Sequence, residues 1–372
     1  MRIIFAGGGT AGHINPALAV ASYIRENEKD AEILYVGAVG GMEERLVQNA
    51  GFKFKGITIS GFSRELSFNG LKKNIVTLKR IFTSSKESKK IIKEFKPDIC
   101  VGTGGYVSGP VLKTAQKLGI NTIIHEQNAY PGVANKMLSK KAKKVMLASG
   151  AAEKYFDKDC SIVITGNPVR QEVINADKRK ARAKLGLDNR PLILSFGGSL
   201  GARMVNEAVV ELIANTTKDD RYQHIHAYGK YGGWFIDKLE SRGVRLSEHK
   251  NLDIREYIDD MNTCLAAADI VICRAGAITL SELEVQGKAS ILIPSPNVAE
   301  NHQYHNAMAL VNNKAAEIIE EKDLTGELLT KKVDTLASDK DRLAILEKNS
   351  KSMAIFDTNE RIYRIIKQIV KS

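Results

Sequence analysis

The chain has 372 residues, a formal net charge of +12 and 43% hydrophobic residues. That length exceeds what one hydrophobic core usually supports, so two domains are expected, and the charge favours an anionic partner such as a nucleotide, a nucleic acid or an acidic membrane surface. No apolar stretch approaches the roughly 18 residues of a transmembrane helix, and Met1-Arg2-Ile3-Ile4-Phe5 runs at once into a glycine loop, which leaves no secretory leader. The cysteines Cys100, Cys160, Cys264 and Cys273 show no CxxC spacing, and Cys100 and Cys273 end β-branched runs. Reduced core thiols and a cytosolic compartment are therefore expected.

The first predicted strand, Ile3 to Ala6, leads into Gly7-Gly8-Gly9-Thr10-Ala11-Gly12-His13. Glycine lets backbone approach a ligand closely, and amides at a following helix start suit a diphosphate. Gly7, Gly9 and Gly12 also satisfy the dinucleotide pattern G-x-G-x-x-G. The second strand, Ile33 to Val36, runs into Gly37-Ala38 without the acid that would take a ribose; Glu32 lies at its wrong end. His13, at a helix start, reads either as a neutral base or as a ring that caps the loop by hydrogen bonding. Asn15-Pro16 predicts the helix start, with Pro16 in the first turn.

From Leu71 to Lys90, Leu71, Ile75, Leu78 and Ile81 or Phe82 recur at helical spacing among Lys72, Lys73, Lys79, Arg80, Lys86, Lys89 and Lys90. This fits a helix lying on an anionic bilayer, or an ordinary amphipathic helix with a solvated basic face. Further strands are predicted at Ile99 to Gly102, Thr122 to His125, Lys144 to Leu147 and Ile162 to Thr165, the βαβ rhythm of a parallel sheet. Thr103-Gly104-Gly105 is another glycine turn after a strand. Gly166-Asn167-Pro168-Val169-Arg170 marks an interdomain connection, with domains at 1–166 and 167–353.

The rhythm restarts at Leu192 to Phe196 and continues through His224 to Ala227, Leu252 to Arg255, Ile270 to Cys273 and Ser290 to Ile293. Gly197-Gly198-Ser199-Leu200-Gly201 offers amides and a hydroxyl without a Walker lysine. Glu282, in the first turns of the helix after Cys273-Arg274-Ala275-Gly276, either accepts ribose hydroxyls or compensates the helix dipole. Glu300 to Asn306 is a polar patch past a strand's C-terminal end, where ligands of open α/β sheets bind. His302 and His305 lack a third metal ligand, and the triplets Asp157-Lys158-Asp159 and Asp339-Lys340-Asp341 read as solvated turns, so no metal is expected. In the last segment, Ile362, Ile365, Ile366 and Ile369 share a helical face that must pack on something.

The ordered set Gly7 to His13, Thr103-Gly104-Gly105-Tyr106-Val107-Ser108-Gly109, His125-Glu126-Gln127-Asn128, Gly166 to Arg170, Gly197-Gly198-Ser199, Tyr257 to Met261 and Cys273 to Ala277 is similar to that of the MurG family. These are the N-acetylglucosamine transferases of bacterial cell-wall synthesis, and the likeness covers nearly the whole chain. It implies a GT-B fold: two Rossmann-like doubly wound α/β domains facing a cleft, with the last helix, about 354–372, joined to the first domain. It implies inverting transfer of GlcNAc from UDP-GlcNAc to the C4 hydroxyl of the MurNAc-pentapeptide of lipid I, giving lipid II and UDP.

By matching positions, the resemblance implies His13 and Glu126 as catalytic, and UDP-GlcNAc contacts at Thr10, Ala11, Gly12, Asn128, Arg170, Ser199, Ile258, Ala277, Ile278, Thr279, Leu280, Ser281, Glu282 and Gln303. Thr103, Gly104 and Gly105 would hold the acceptor diphosphate, and Leu71, Lys72, Ile75, Leu78, Lys79, Arg80 and Phe82 would meet an anionic membrane on its cytoplasmic face. No cofactor, metal or nucleic acid is implied. The chain has Leu200 and His302 where the family often has glutamine. A UDP-GlcNAc epimerase or hydrolase on the same architecture, a dinucleotide oxidoreductase and a non-enzymatic nucleotide-sugar sensor remain alternatives.

Overall fold

The computed structural model describes residues 1–60 and 68–371, with side chains at all of these except 68–79, 81, 82 and 299. The chain divides into two compact units, Met1–Val169 with Asp357–Ser372, and Arg170–Phe356.

The first unit is built on seven strands: β1 (Arg2–Gly7), β2 (Glu32–Ala38), β3 (Lys53–Ile57), β4 (Ile99–Gly104), β5 (Asn121–Glu126), β6 (Lys144–Leu147) and β7 (Ile162–Ile164). They form one sheet in the order β3-β2-β1-β4-β5-β6-β7, and every pairing is parallel. Parallel strands need crossover connections, here chiefly the helices α1 (Ala11–Asn27), α2 (Met42–Asn49), α3 (Phe68–Phe95), α4 (Gly105–Lys117) and α5 (Val133–Ser139).

Successive side chains of a strand point to opposite faces, so each strand feeds two cores. Ile3, Phe5, Tyr35, Ile99, Val101 and Ile123 pack with Ile14, Ala17 and Ile24 of α1 on one face. Ile4, Ala6, Val36, Cys100 and Ile124 pack with Val107, Val111 and Leu112 of α4 on the other. The terminal helix, Thr358–Lys371, joins the α1 face through buried Ile362 and Ile366. Its start is tied down where Thr358 Oγ1 donates to Thr165 O at 2.8 Å and Asn359 Nδ2 to Val169 O at 3.0 Å.

The second unit holds β8 (Leu192–Phe196), β9 (Gln223–Ala227), β10 (Leu252–Arg255), β11 (Ile270–Cys273), β12 (Ala289–Leu292) and β13 (Glu317–Ile318), in the order β10-β9-β8-β11-β12-β13 and again parallel. Ile193, Ile270, Ile272 and Ile291 pack against Val205, Val209 and Leu212 of the helix Arg203–Thr216 and Leu329 and Val333 of the helix Gly326–Ser338.

Two strands escape the search for buried apolar runs. β3 sits at a sheet edge and alternates exposed Lys53 and Lys55 with partly or fully buried neighbours, the charged pattern that protects an edge from pairing with other chains. β13 has two residues, also at an edge. The predicted start of α1 also moves: the helix begins at Ala11, so Pro16 lies inside it. A proline there donates no backbone hydrogen bond, so Gly12 O loses its helical partner. No helix among the described residues is long and apolar enough to cross a membrane. Leu71, Lys72, Ile75, Leu78, Lys79 and Phe82 belong to α3, but their side chains lie outside the described set; that of Arg80 is exposed.

Candidate active site

In the first sheet β1 and β4 are neighbours, with β2 beside the one and β5 beside the other, so the connections depart to opposite sides between them. Such a switch point leaves a crevice at the strands' C-terminal ends. Three predicted motifs meet here: the loop after β1, the glycine turn after β4, and the segment after β5.

Their approach depends on missing side chains. A Cβ on Gly7 would stand 2.1 Å from Thr103 Oγ1, and one on Gly105, whose φ is +75°, would stand 2.1 Å from Gly8 O. A Cβ on Gly104 would reach His13 Nδ1 at 2.8 Å. Thr103 Oγ1 donates to His13 O at 2.7 Å, and Tyr35 Oη donates to Gly7 O at 3.0 Å.

His13 is half-buried in the first turns of α1, with Nδ1 3.0 Å from Thr103 O and 3.2 Å from Gln127 Oε1. A carbonyl oxygen only accepts, so Nδ1 carries the proton and the neutral ring keeps its lone pair on Nε2. Thr10 and Gly12 are exposed and Ala11 half-buried, and the amides of Ala11 and Gly12 have no acceptor within the helix.

Glu126 is held within its own segment. The carboxylate is 1% exposed and fully engaged: Oε1 accepts from Asn128 N at 3.0 Å and Asn128 Nδ2 at 3.1 Å, Oε2 from Gly132 N and Asn135 Nδ2 at 2.9 Å each. A carboxylate with four donors builds the loop that carries Asn128. Thr103 and Gly104 are likewise occupied, the hydroxyl by His13 O and the Gly104 amide by Ser108 Oγ at 3.0 Å. Of the predicted diphosphate turn, Gly105 at the start of α4 is the residue whose amide lacks an acceptor within the helix.

Sequence reading missed Glu43. It is fully buried, and its carboxylate accepts from Ala38 N at 2.9 Å and Gly9 N at 3.3 Å, fastening the first glycine loop to the end of β2. The signal is Gly40-Gly41-Met42-Glu43 just after a strand: a Cβ on Gly8, Gly37 or Gly41 would stand 2.3, 2.5 or 2.8 Å from the Glu43 side chain, so glycine at these positions makes room for it.

The second unit presents its own set at the C-terminal ends of β8, β10, β11 and β12. After β8 the loop turns through Gly198 and Gly201, at φ +97° and +83°, and leaves Ser199 and Leu200 exposed. The helix that follows begins at Arg203, four residues after Ser199, so its N-terminal amides lie farther along than the motif implies. Ile258 is buried, in a segment that Arg255 holds to Asp260 at 2.6 Å.

The helix Ala277–Gln286 opens with half-buried Ala277, Ile278 and Thr279, and the amides of Ile278 and Thr279 have no acceptor within the helix. Leu280 and Ser281 are 4% and 8% exposed, and Leu280 N donates to Gly276 O at 3.0 Å. Both side chains are therefore largely enclosed by the second unit. Glu282 lies 4.0 Å from Arg170 Nη2, and burial pushes its carboxyl up to about 7, with Arg170 opposing. Gln303 Oε1 accepts from Ser295 N at 2.9 Å. Arg274 donates to Ile293 O and Pro294 O and pairs with Glu321, so it braces the strand end rather than a diphosphate.

No group of three His, Cys, Asp or Glu among the described residues is arranged to hold a metal ion. Asp157 pairs with Lys140 at 3.1 Å, and Asp339 caps a helix by accepting from Arg342 N at 2.9 Å.

Residues 3–147 match the glycosyltransferase family 28 N-terminal domain and residues 192–369 its C-terminal domain. A protein of Acetivibrio thermocellus is 46% identical, covering 100% of this chain and 99% of its own length, and one of Thermoanaerobacter sp. is 44% identical, covering 99% and 100%. Both are named UDP-N-acetylglucosamine–N-acetylmuramyl-(pentapeptide) pyrophosphoryl-undecaprenol N-acetylglucosamine transferase. The crystal structure of Acinetobacter baumannii MurG is similar at a TM-score of 0.75 and 27% identity, covering 99% of each chain. The fold extends to a Staphylococcus aureus MnaA–UDP structure at 14% identity and a TM-score of 0.71.

Proposed function

The chain belongs to glycosyltransferase family 28 and, within it, to the MurG transferases, and on that premise we propose how its residues carry the reaction. It is a UDP-GlcNAc-dependent N-acetylglucosaminyltransferase of peptidoglycan synthesis that converts lipid I to lipid II.

The reaction breaks the bond between the anomeric carbon of GlcNAc and the UDP oxygen, and forms one to the C4 oxygen of the muramyl sugar with inversion. Its transition state has oxocarbenium character, with negative charge growing on the diphosphate. Nε2 of His13 takes the C4 hydroxyl proton as the oxygen attacks. The bonding pair of the cleaved bond leaves with UDP. The observation that carries this assignment is the carbonyl of Thr103 against Nδ1, which leaves Nε2 as the basic nitrogen.

For the donor, the amides of Ile278 and Thr279 and the Gly197–Gly201 loop receive the diphosphate, the Ile258 backbone meets the uracil, and Glu282 takes the ribose hydroxyls. Arg170 adds positive charge beside Glu282. Gln303, Asn128 and the Thr10, Ala11 and Gly12 backbone are assigned to the sugar, and Gly105 to the acceptor's diphosphate. The chain works as a peripheral enzyme on the cytoplasmic face of the membrane. That reading is supported by the alternation of Leu71, Ile75, Leu78 and Phe82 with Lys72, Lys79 and Arg80 in a basic chain.

The reading is tested with labelled UDP-GlcNAc and a short-chain lipid I analogue. UDP release only in the presence of the muramyl acceptor supports it; acceptor-independent consumption of UDP-GlcNAc would instead mark an epimerase or hydrolase.

Glu282 gives a pH signature. Ribose hydroxyls donate best to the ionised carboxylate, so donor affinity rises as pH increases through about 7, where the free enzyme's carboxyl ionises. Charge-assisted hydrogen bonds are worth roughly 1.5–3 kcal/mol, so Glu282→Ala is expected to weaken UDP-GlcNAc binding by about 10- to 100-fold and flatten that dependence. Calorimetric titration from about pH 6 to pH 8 measures both. A variant with wild-type affinity and slope would remove Glu282 from the ribose.

A further inference from the structure

We propose that Gln127 and His125 are positioning residues, a buried neutral relay that fixes the tautomer and ring orientation of His13. The inference rests on the reading of His13 as the base.

The relay can be oriented from its fixed end. Gly166 O lies 2.8 Å from His125 Nε2, and a carbonyl only accepts, so Nε2 carries the proton and Nδ1 is an acceptor. Gln127 Nε2 approaches that Nδ1 at 3.1 Å and Thr103 O at 2.9 Å. Both are acceptors, which assigns the amide NH2 to this side and turns Oε1 toward His13 Nδ1, 3.2 Å away. The Nδ1 proton of His13 is then shared between Thr103 O and Gln127 Oε1.

Nothing in the relay is free to turn over. Gln127 and His125 are 3% and 1% exposed. Asn167 Nδ2 holds Gln127 O at 3.2 Å, and Asn135 Nδ2 holds His125 O at 3.1 Å. A charged His125 would put a proton on Nδ1 against the glutamine NH2; burial holds this ring's pKa below the ordinary imidazole value, which keeps it neutral.

The chemical consequence concerns the proton that His13 gains. The imidazolium formed during transfer keeps two neutral oxygens on Nδ1–H, which stabilise its charge and hold the ring, and no carboxylate makes it a weaker acid afterwards. The titratable groups around it are His125 and Glu126 on β5, the latter reached through Asn135, with Glu43 on α2 and Tyr106 on α4 packed against the first glycine loop. Glu126 is the acid in the segment, yet Gln127 is the side chain that faces the ring.

The test combines histidine-selective ¹⁵N NMR of the His13 ring with the pH profile of kcat/KM for lipid-acceptor transfer, on the full chain. Wild type is expected to show Nδ1 protonated and Nε2 unprotonated in neutral His13. Gln127→Met removes one of the two acceptors on Nδ1–H and leaves Thr103 O; it is expected to raise the minor Nε2-protonated tautomer and to lower kcat about tenfold while the UDP-GlcNAc KM stays within about twofold. Gln127→Glu returns an acceptor with a charge and is expected to move the acid limb of the profile up by about one unit or more. Circular dichroism establishes that each variant is folded, and Gln127→Met suffices if the buried glutamate does not fold. Unchanged tautomer, acid limb and kcat in Gln127→Met would overturn the relay. Full turnover by His13→Ala would overturn the base reading instead, and the ring spectra would still report whether the relay exists.

Discussion

Replacing His13 with alanine is expected to lower kcat for transfer to a lipid I analogue by about 10²- to 10⁴-fold, the usual contribution of a positioned general base, while UDP-GlcNAc binding changes little. The split follows from where the ring is held. Its Nδ1 is tied to Thr103 and Gln127, so the free nitrogen is the one that meets a substrate proton. The groups proposed above for the diphosphate, uracil and ribose belong to Arg170–Phe356, and those proposed for the sugar in the first unit are Asn128 and the backbone of Thr10, Ala11 and Gly12, so the His13 side chain itself is not among the donor-binding groups. Steady-state kinetics with both substrates varied, alongside equilibrium titration of UDP-GlcNAc, measure the two effects separately. Full kcat in the variant would end the assignment; loss of donor affinity as large as the loss of kcat would mean that His13 binds rather than reacts.

Gly105→Ala is expected to lower the stability of the first unit by about 2–4 kcal/mol and to abolish most activity. Two costs combine. A residue with a Cβ at φ +75° is strained by roughly 1–2 kcal/mol, and its Cβ would stand 2.1 Å from Gly8 O, which forces apart the two loops that frame His13. Gly40→Ala is the control: its φ is +69°, but a Cβ there meets nothing within 4 Å. It carries the backbone strain without the collision. Denaturant unfolding should therefore rank wild type above Gly40→Ala above Gly105→Ala, and the transfer assay should separate the two variants more sharply than stability does. Equal activity in the two variants would show that the loops tolerate separation.

The difference between these glycines explains what the sequence could and could not reveal. Buried parallel strands write themselves as β-branched runs, and Lys144–Leu147, Leu192–Phe196 and Ile270–Cys273 have the predicted bounds, as does the half-buried edge strand Leu252–Arg255. An edge strand such as Lys53–Ile57 carries charge to stay unpaired and so resembles a loop. Motifs located the loops of the site because glycine is required where backbone nears backbone. They did not separate roles within a motif. In His125-Glu126-Gln127-Asn128 the glutamate draws attention as the acid, but a side chain's partners depend on which way the strand end turns. Here that turn gives Glu126 to its own loop and Gln127 to His13. Glu43 was hidden for the same reason: its partners Gly9 and Ala38 belong to two other elements.

The terminal helix bears on how the protein is made. Its 14 residues supply Ile362 and Ile366 to a core whose other members begin at Ile3. During synthesis the sheet of the first unit emerges with the α1 face open at that place, and it stays open until Thr358–Lys371 has left the ribosome. The unit Arg170–Phe356 is continuous and can close while translation proceeds. The part of the enzyme that is made first is therefore completed last, and a chain that stops short of residue 358 releases a finished second unit attached to an unfinished first one.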